Sequence, residues 1–453
     1  MLNHIRFTLE LELNSDLHIG TGETVALSKL RKSNRTIGEE TDPEVSVTAK
    51  DVDGLPYLSA TALKSACRRV LTQAGQGALA DKLFGTINKT PRYRKGGTEE
   101  LVNEGQMGLL SFGWAKMMTS DDVGGVDLPF YDPATRCWIS TRTRIDGAWG
   151  TVKRHHLFNR EFVAKGTRFS VDCIYLGDGD TAKQDLGVLL GEIAAVGTLE
   201  IGQGGRLGNG QVRLRTKSVE GLSTGFDASA LKTVSGKIKI DPVQGGGPGD
   251  GTASRWVLGL KATSPFLIAD PYGRPAKANE KAGNNIICAL RSDTGGAALP
   301  PSTFMGGLRA RAVWLACLEN PDHRDDPDLK PSDWKDPGEL SITERLFGVT
   351  GWRGTLEVAG IKDVATNAYP KNFAGIAIDR FSAGVIDGAL FATEAFCHTA
   401  FDITLRHRPR GAGIEAESAF IERLIDFLKT DGIELGHSTN DGFGWFEVTG
   451  EKK

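Results

Sequence analysis

"LEIGQGGRLGNGQVRL" runs from Leu199 to Leu214 and carries five glycines, Gly202, Gly204, Gly205, Gly208 and Gly210, between β-type residues. A second stretch, "IELGHSTNDGFGWFEV" from Ile433 to Val448, follows the same plan. Each passes from apolar residues through a glycine and a short polar loop to Gly-x-Gly and alternating strand residues. Two distant copies of one plan raise the question of a duplicated chain.

Working outward from these loops, the same signals recur in the same order. Gly245 to Ser254, "GGGPGDGTAS", reads as a flexible linker. Each side of it opens with a strand, "IRFTLELELNSDLHIGTGE" and "WVLGLKATSPFLIAD", and continues to a helix start, "GLPYLSATALKSACRRVL" and "AALPPSTFMGGLRARAVWL". Leu-Phe-Gly follows at Leu83–Gly85 and Leu346–Gly348, then "GLLSFGWAK" and "GTLEVAGIKD". Ile145-Asp146 and Ile378-Asp379 stand at one offset from Leu157-Phe158 and Leu390-Phe391. Six ordered matches establish an internal duplication. The expected boundaries are 1–240 and 255–453, with the linker over 241–254.

Each half reads as strand, helix, strands, helix, strand. The predicted helices cover Ala60–Gln73, Gln184–Ala194, Phe304–Leu318 and Glu415–Thr430. That order predicts an α+β chain of two tandem ferredoxin-like, RRM-like domains, each with helices on one face of a sheet. The open face of such a sheet often carries RNA.

The 453 residues suit two or three domains, and 40% hydrophobic with 25% charged residues is a globular composition. No apolar run of about 18 residues is present, which excludes a helical membrane span. "MLNHIRFTLELEL" alternates as a strand rather than a signal peptide, so a cytoplasmic location is expected. The six cysteines form no CxxC pair and read as free thiols. A net charge of −3 argues weakly against nucleic-acid binding, yet "KLRKSNR", "PRYRK", "TRTR", "VKRHH" and "RHRPR" are local basic patches.

Taken together, "DLHIGTGE", "PYLSATALKSACR", "LFG", "IDRFSAGVIDGALF" and "IGQGGRLGNGQV" resemble the RAMP (repeat-associated mysterious protein) superfamily of CRISPR-Cas systems. The likeness spans nearly the whole chain, once per half. It is similar to the backbone subunits of type III effector complexes, and a two-in-one fusion looks like the arrangement of some type III-D systems. The resemblance implies RAMP domains with inserted thumb hairpins. Its implied partners are CRISPR guide RNA, complementary target RNA, and other RAMP and large subunits, with no membrane.

The resemblance places the glycine loop against RNA. Independently of it, bare backbone turns tightly and brings N–H groups close to phosphate oxygens. Gly204, Arg206 and Asn209 are the candidates in the first half, His437 and Asn440 in the second. The loop lacks the P-loop pattern, which disfavours nucleotide binding. Lys64 and Arg68 lie four apart on the first helix, where a capped N-terminus and a basic turn suit a phosphate or simply face solvent. With Leu63 matched to Leu308, Arg309 takes the place of Lys64. Arg142, Arg144 and Arg380 are further RNA-binding candidates on the repeated strands. His18 stands near the same groove or as a structural histidine at a strand end.

In cleaving members of the family an aspartate between the first strand and first helix is needed to cut target RNA. Asp42 falls at that position in "IGEETDPEVSVTAKDVDGLPYL", although Glu40-Thr41 replaces the usual glycine pair. Glu39, Glu40 and Glu44 are close by. RNA carries its own nucleophile, the 2′-OH, so the protein need only align it and relieve developing charge, for which Mg2+ or Mn2+ serves. Asp42 is expected as a metal ligand or proton acceptor. Matching Asp51 with Asp293 sets Asn284 against Asp42, with Asp270, Glu280 and Asp293 the nearby carboxylates, so the second half is expected to hold guide without cutting. Met117–Thr135 and Asp363–Gly375 resemble thumbs, with Met117, Met118, Leu128, Phe130, Tyr369 and Phe373 as wedges between bases or as covered loop residues. The expected activity is a metal-dependent endoribonuclease; a non-cleaving guide scaffold and a protein unrelated to RNA are the alternatives.

Overall fold

Alternation sets the first strand. In β1 (His4–Leu13), Ile5, Phe7, Leu9, Leu11 and Leu13 are buried, whereas Arg6, Thr8 and Glu10 face outward. Each buried side chain of this kind contributes roughly 1.5–3 kcal/mol, and a one-residue slip would expose the whole row. The computed structural model describes residues 3–30, 43–93, 99–119, 128–145, 152–227, 232–246, 254–270, 286–292, 294–326, 329–330, 336–379, 381, 385–410 and 413–452.

The remaining first-half elements are β2 (Gly20–Ala26), β3 (Glu44–Thr48), α1 (Ala60–Gln73), β4 (Leu110–Phe112), β5 (Cys137–Ile145), β6 (Val152–Val163), β7 (Arg168–Leu176), α2 (Gly179–Val196) and β8 (Gln211–Leu214). The second half supplies β9 (Ser254–Ala262), β10 (Ile286–Ala289), α3 (Pro301–Glu319), β11 (Leu356–Asp363), β12 (Tyr369–Ile378), β13 (Val385–Cys397), β14 (Ala400–His407), α4 (Ile414–Asp431) and β15 (Trp445–Lys452). Helix starts follow local chemistry. The Ser59 hydroxyl accepts the Ala62 N–H ahead of α1, a cap worth about 1 kcal/mol.

Both halves build one sheet in the same antiparallel order, β4–β7–β1–β8 and β11–β14–β9–β15. That order, with a helix after the first and third strands, is ferredoxin-like. A second sheet also recurs: β2–β3–β6–β5 in the first half, and Ala269–Asp270, β10, β13 and β12 in the second. The chain is therefore mixed α and β, with one apolar core drawn from residues 5 to 240 and another from 256 to 448. The first half alone adds a hairpin, Val219–Asp227 with Lys232–Ile240, on the edge of β1.

The duplication extends to buried polar bonds. Tyr175 donates to Asp185 at 2.7 Å, and Lys82 pairs with Asp185 at 2.8 Å. At matching places His407 bonds Glu417 at 2.8 Å, with Arg345 at 3.7 Å. Lys50–Glu161 and Arg291–Glu394, each 2.8 Å, form another repeated pair. Arg68 and Arg309 both donate to the carbonyl of the glycine ending Leu-Phe-Gly, Gly85 and Gly348.

Three expectations change. Arg309 matches Arg68 rather than Lys64: each stands nine residues past its helix cap, Ser59 or Pro300. Leu63 therefore faces Phe304, and the counterpart of Lys64 is the buried Met305. In the parallel pairings, Asn159 meets Val45 where Ala392 meets Ile286. This register differs by one residue from the match of Asp51 with Asp293. Asp42 and Asn284 themselves lie outside the described residues. Residues at the start of the linker are held: the Val243 N–H donates to Gly187, and Gly246 N–H to Glu192.

Candidate nucleic-acid interface

A basic and aromatic face lies on the second sheet of the first half. Directly opposed residues of β5 and β6 project to one side, and the pairs Arg142 with Phe158, Ser140 with Arg160 and Trp138 with Phe162 share that side. Trp138 stacks on Phe162 with centroids 5.7 Å apart, and the Arg142 guanidinium sits 5.3 Å over the Phe162 ring. Phe158 is exposed. Neither Arg142 nor Arg160 has a carboxylate within ion-pair distance among the described residues, and Arg142 Nε is buried without a hydrogen bond. Burial, then the charge of Arg160, pushes Arg142 down to about 10, so it stays cationic at neutral pH. Phe162 is itself buried, so Phe158 is the ring left open to an unpaired base, beside cations that suit phosphates.

Beside this face enters the strand that follows the acidic loop. Ser46 of β3 pairs with Arg160, and Glu44, at the start of β3, binds the Thr24 hydroxyl at 3.0 Å. Asp42 lies outside the described residues, as do Arg380, Glu280, Asn284, Asp293 and the side chain of Arg144. Among the described residues no three His, Cys, Asp or Glu side chains are grouped to hold a metal ion.

His18 packs against the inner end of the face, 5.8 Å from the Phe162 ring. It is only 1% exposed, which makes it a strand-end histidine beneath the interface rather than a residue in reach of RNA. Its Nδ1 lies 2.7 Å from the Glu161 carbonyl, which can only accept, so Nδ1 carries the proton of the neutral ring. Burial and the two arginines hold its pKa below the usual value, against the pull of Glu161. Below about pH 6.5 the unfolded chain therefore gains a proton that the folded chain refuses, and stability falls with acidification. His18→Leu is expected to flatten that acid limb. Urea midpoints at about pH 7.5 and 5.5 measure it; an acid limb as steep as in wild type would show that His18 is protonated when folded.

The glycine loops occupy different surroundings. Gly210 and Gly444 have φ near +70° and +74°, and a Cβ there would lie 1.9 and 2.0 Å from the carbonyls of Ile201 and Leu435. Glycine is thus required for the tight return of the chain in both halves. The first loop, however, docks on the second half. Arg206 Nε donates to the Leu356 carbonyl at 3.4 Å, Gln211 donates to Ala359, and Leu207 joins the second core. Burial and neighbouring arginines lower Arg206 to about 10. Asn209 is 8% exposed and Gly204 takes a left-handed turn. These three candidates therefore face protein, because the loop fills a seat built by Gly348 and β11. His437 and Asn440, in the second loop, are exposed.

Of the helix candidates, Lys64 is exposed, whereas Arg68 is committed to Asp81 at 2.7 Å and Arg309 to Asp325 at 3.0 Å. The wedge candidates divide. Met117 is buried, Phe130 packs beside Leu27, Val45 and Ile139, Phe373 packs edge-on to Phe443, and Tyr369 is exposed. At the far end of the β12–β13 hairpin, Ile376, Ile378, Phe381 and Ile386 are exposed. The sequence reading missed Arg160, Trp138 and Phe162; their signal was the alternation of "FNREF" opposite "CWIST". All six cysteines are free, and among the described residues no helix is long and apolar enough to cross a membrane.

On the face of β5 and β6, Arg142 and Arg160 of the first half have uncharged counterparts in the second. The shared strand registers set Gly375 against Arg142, Thr393 against Arg160 and Leu267 against His18. A family model described as the RAMP superfamily matches residues 10–213 and again residues 259–447. No curated protein matches the chain.

Proposed function

The chain belongs to the RAMP superfamily, matched once in each half, and from that premise we propose that it is a guide-RNA-binding backbone subunit of a type III CRISPR effector complex that cuts complementary target RNA through its first half. Superfamily membership by itself points to a CRISPR-associated RNA-binding subunit. The observation that carries the finer reading is the asymmetry of the two halves. Arg142 and Arg160, without a carboxylate in ion-pair distance among the described residues, flank the aromatics and the strand leaving the acidic loop; their counterparts Gly375 and Thr393 are neutral, and Lys371 takes the place of Trp138 in the second half.

In this proposal the face holds RNA by stacking and phosphate contacts, and Asp42 meets the scissile phosphate. Mg2+ or Mn2+, held by Asp42 and phosphate oxygens, would relieve charge as the 2′-OH attacks. The other RAMP subunits are also part of the proposal. The first glycine loop occupies a seat on the second half, while the second loop is exposed, and so are Met107 and Trp114 at the corresponding seat on the first half. A heterologous contact repeated along a chain leaves one open surface at each end.

Guide affinity should fall steeply with salt and be nearly indifferent to guide sequence, because backbone contacts carry no base information. Filter binding across a salt series tests this, and a flat response would refute the RNA reading. Lys64→Ala should reduce the slope by about 1. Arg68→Ala should mainly lower stability, since Arg68 ties α1 to Asp81 and Gly85.

A further inference from the structure

The seam between the halves gathers six arginines around two glutamates. Glu200 of the first half meets Arg408 at 2.8 Å, Arg353 at 3.6 Å and Arg69 at 4.0 Å. Glu357 of the second half, 4% exposed, meets Arg408 at 2.8 Å and Arg353 and Arg406 at 3.6 Å. Arg206, on the docked loop, and Arg410 complete the group, and neither has a carboxylate within ion-pair distance among the described residues. Two carboxylates cannot neutralise six guanidinium groups, and partly desolvated like charges repel.

We propose that this seam is a phosphate-binding site, filled by a phosphate ester that neutralises the surplus guanidinium charge. Arginine forks match phosphate oxygens in pairs, and the outer members, Arg353 and Arg410, reach solvent. The cluster is not a repeated feature of the two halves. On the first half Met107, Ser111, Ile174 and Leu176 stand at the places of Arg353, Glu357, Arg406 and Arg408, and Asn440 replaces Arg206 on the second loop. The site shares no residue with the Arg142 and Arg160 face. Its phosphate comes either from an RNA backbone, which rests on the proposed function, or from a small free phosphate, which does not.

Thermal unfolding of the full chain at fixed ionic strength tests it, with low-millimolar inorganic pyrophosphate or a short single-stranded RNA as probe. A saturable rise in Tm on the order of 2 °C is expected, lost in Arg410→Gln and kept in Arg410→Lys. A rise with RNA in Arg142→Ala/Arg160→Ala protein, lost when Arg410→Gln is added, assigns the phosphate to an RNA backbone. A rise with pyrophosphate alone assigns a free phosphate and leaves the seam site standing even if the RNA reading fails. No saturable rise with either probe, or an equal rise in Arg410→Gln, overturns the proposal.

Discussion

Replacing Asp42 by alanine is expected to remove one cut from complementary target RNA while leaving guide and target binding nearly intact. Binding is spread over many phosphate contacts, whereas a carboxylate beside the scissile phosphate acts chiefly on the transition state. Loss of such a group slows cleavage by roughly 10²–10⁴-fold. The cut should need Mg2+ or Mn2+ and a 2′-OH at the scissile nucleotide. Only the first half should contribute one, since Gly375 and Thr393 replace Arg142 and Arg160 in the second half and Asn284 is the expected counterpart of Asp42. Mapping the products of a labelled target in the assembled complex reads this directly. An unchanged pattern would make Glu44, which begins β3, the next carboxylate to replace. A second band that survives in the variant would contradict the one-sided assignment. Loss of no band in Asp42→Ala, in Glu44→Gln or in Glu39→Gln/Glu40→Gln protein would leave the non-cleaving scaffold as the function.

The second large effect is expected from Arg142→Ala combined with Arg160→Ala. The two cations lie on one face with Phe158 and Phe162, so the double variant loses both the charge and the cation stacked on the ring. Guide affinity should weaken by roughly 10–100-fold at moderate salt. The salt slope should fall by about 2, one for each phosphate contact removed. Because neither arginine is paired with a carboxylate among the described residues, their removal strands no buried acid, and the unfolding midpoint should move little. Filter binding and urea unfolding on the same preparations separate the outcomes. Unaltered affinity with unaltered stability would remove this face from the RNA path. By contrast, Gly375→Arg in the second half should not create a cut, because Asn284 is the expected counterpart of Asp42 there.

Several features were legible in the sequence because they depend on local order. Alternation in "IRFTLELEL" and "WVLGLKA" fixes which side chains β1 and β9 bury, and Ser59 marks where α1 begins. The repeated Leu-Phe-Gly and Gly-x-Gly signals reveal two copies of one ferredoxin-like unit, since a glycine forced to positive φ against a carbonyl tolerates no other residue. Tertiary structure decided the rest, through contacts between residues far apart in the chain. No local pattern shows that Arg206 meets Leu356, so the same glycine motif reads alike whether it docks on protein or stays open. The alignment of the halves also needed the fold: insertions shift the numbering, and shared hydrogen bonds, not similar letters, match Arg309 with Arg68. Most of the candidate site is of this second kind, because His18, Arg142 and Arg160 become neighbours only when β6 pairs with β5 and β3, and the pleat then chooses which of their side chains share a face.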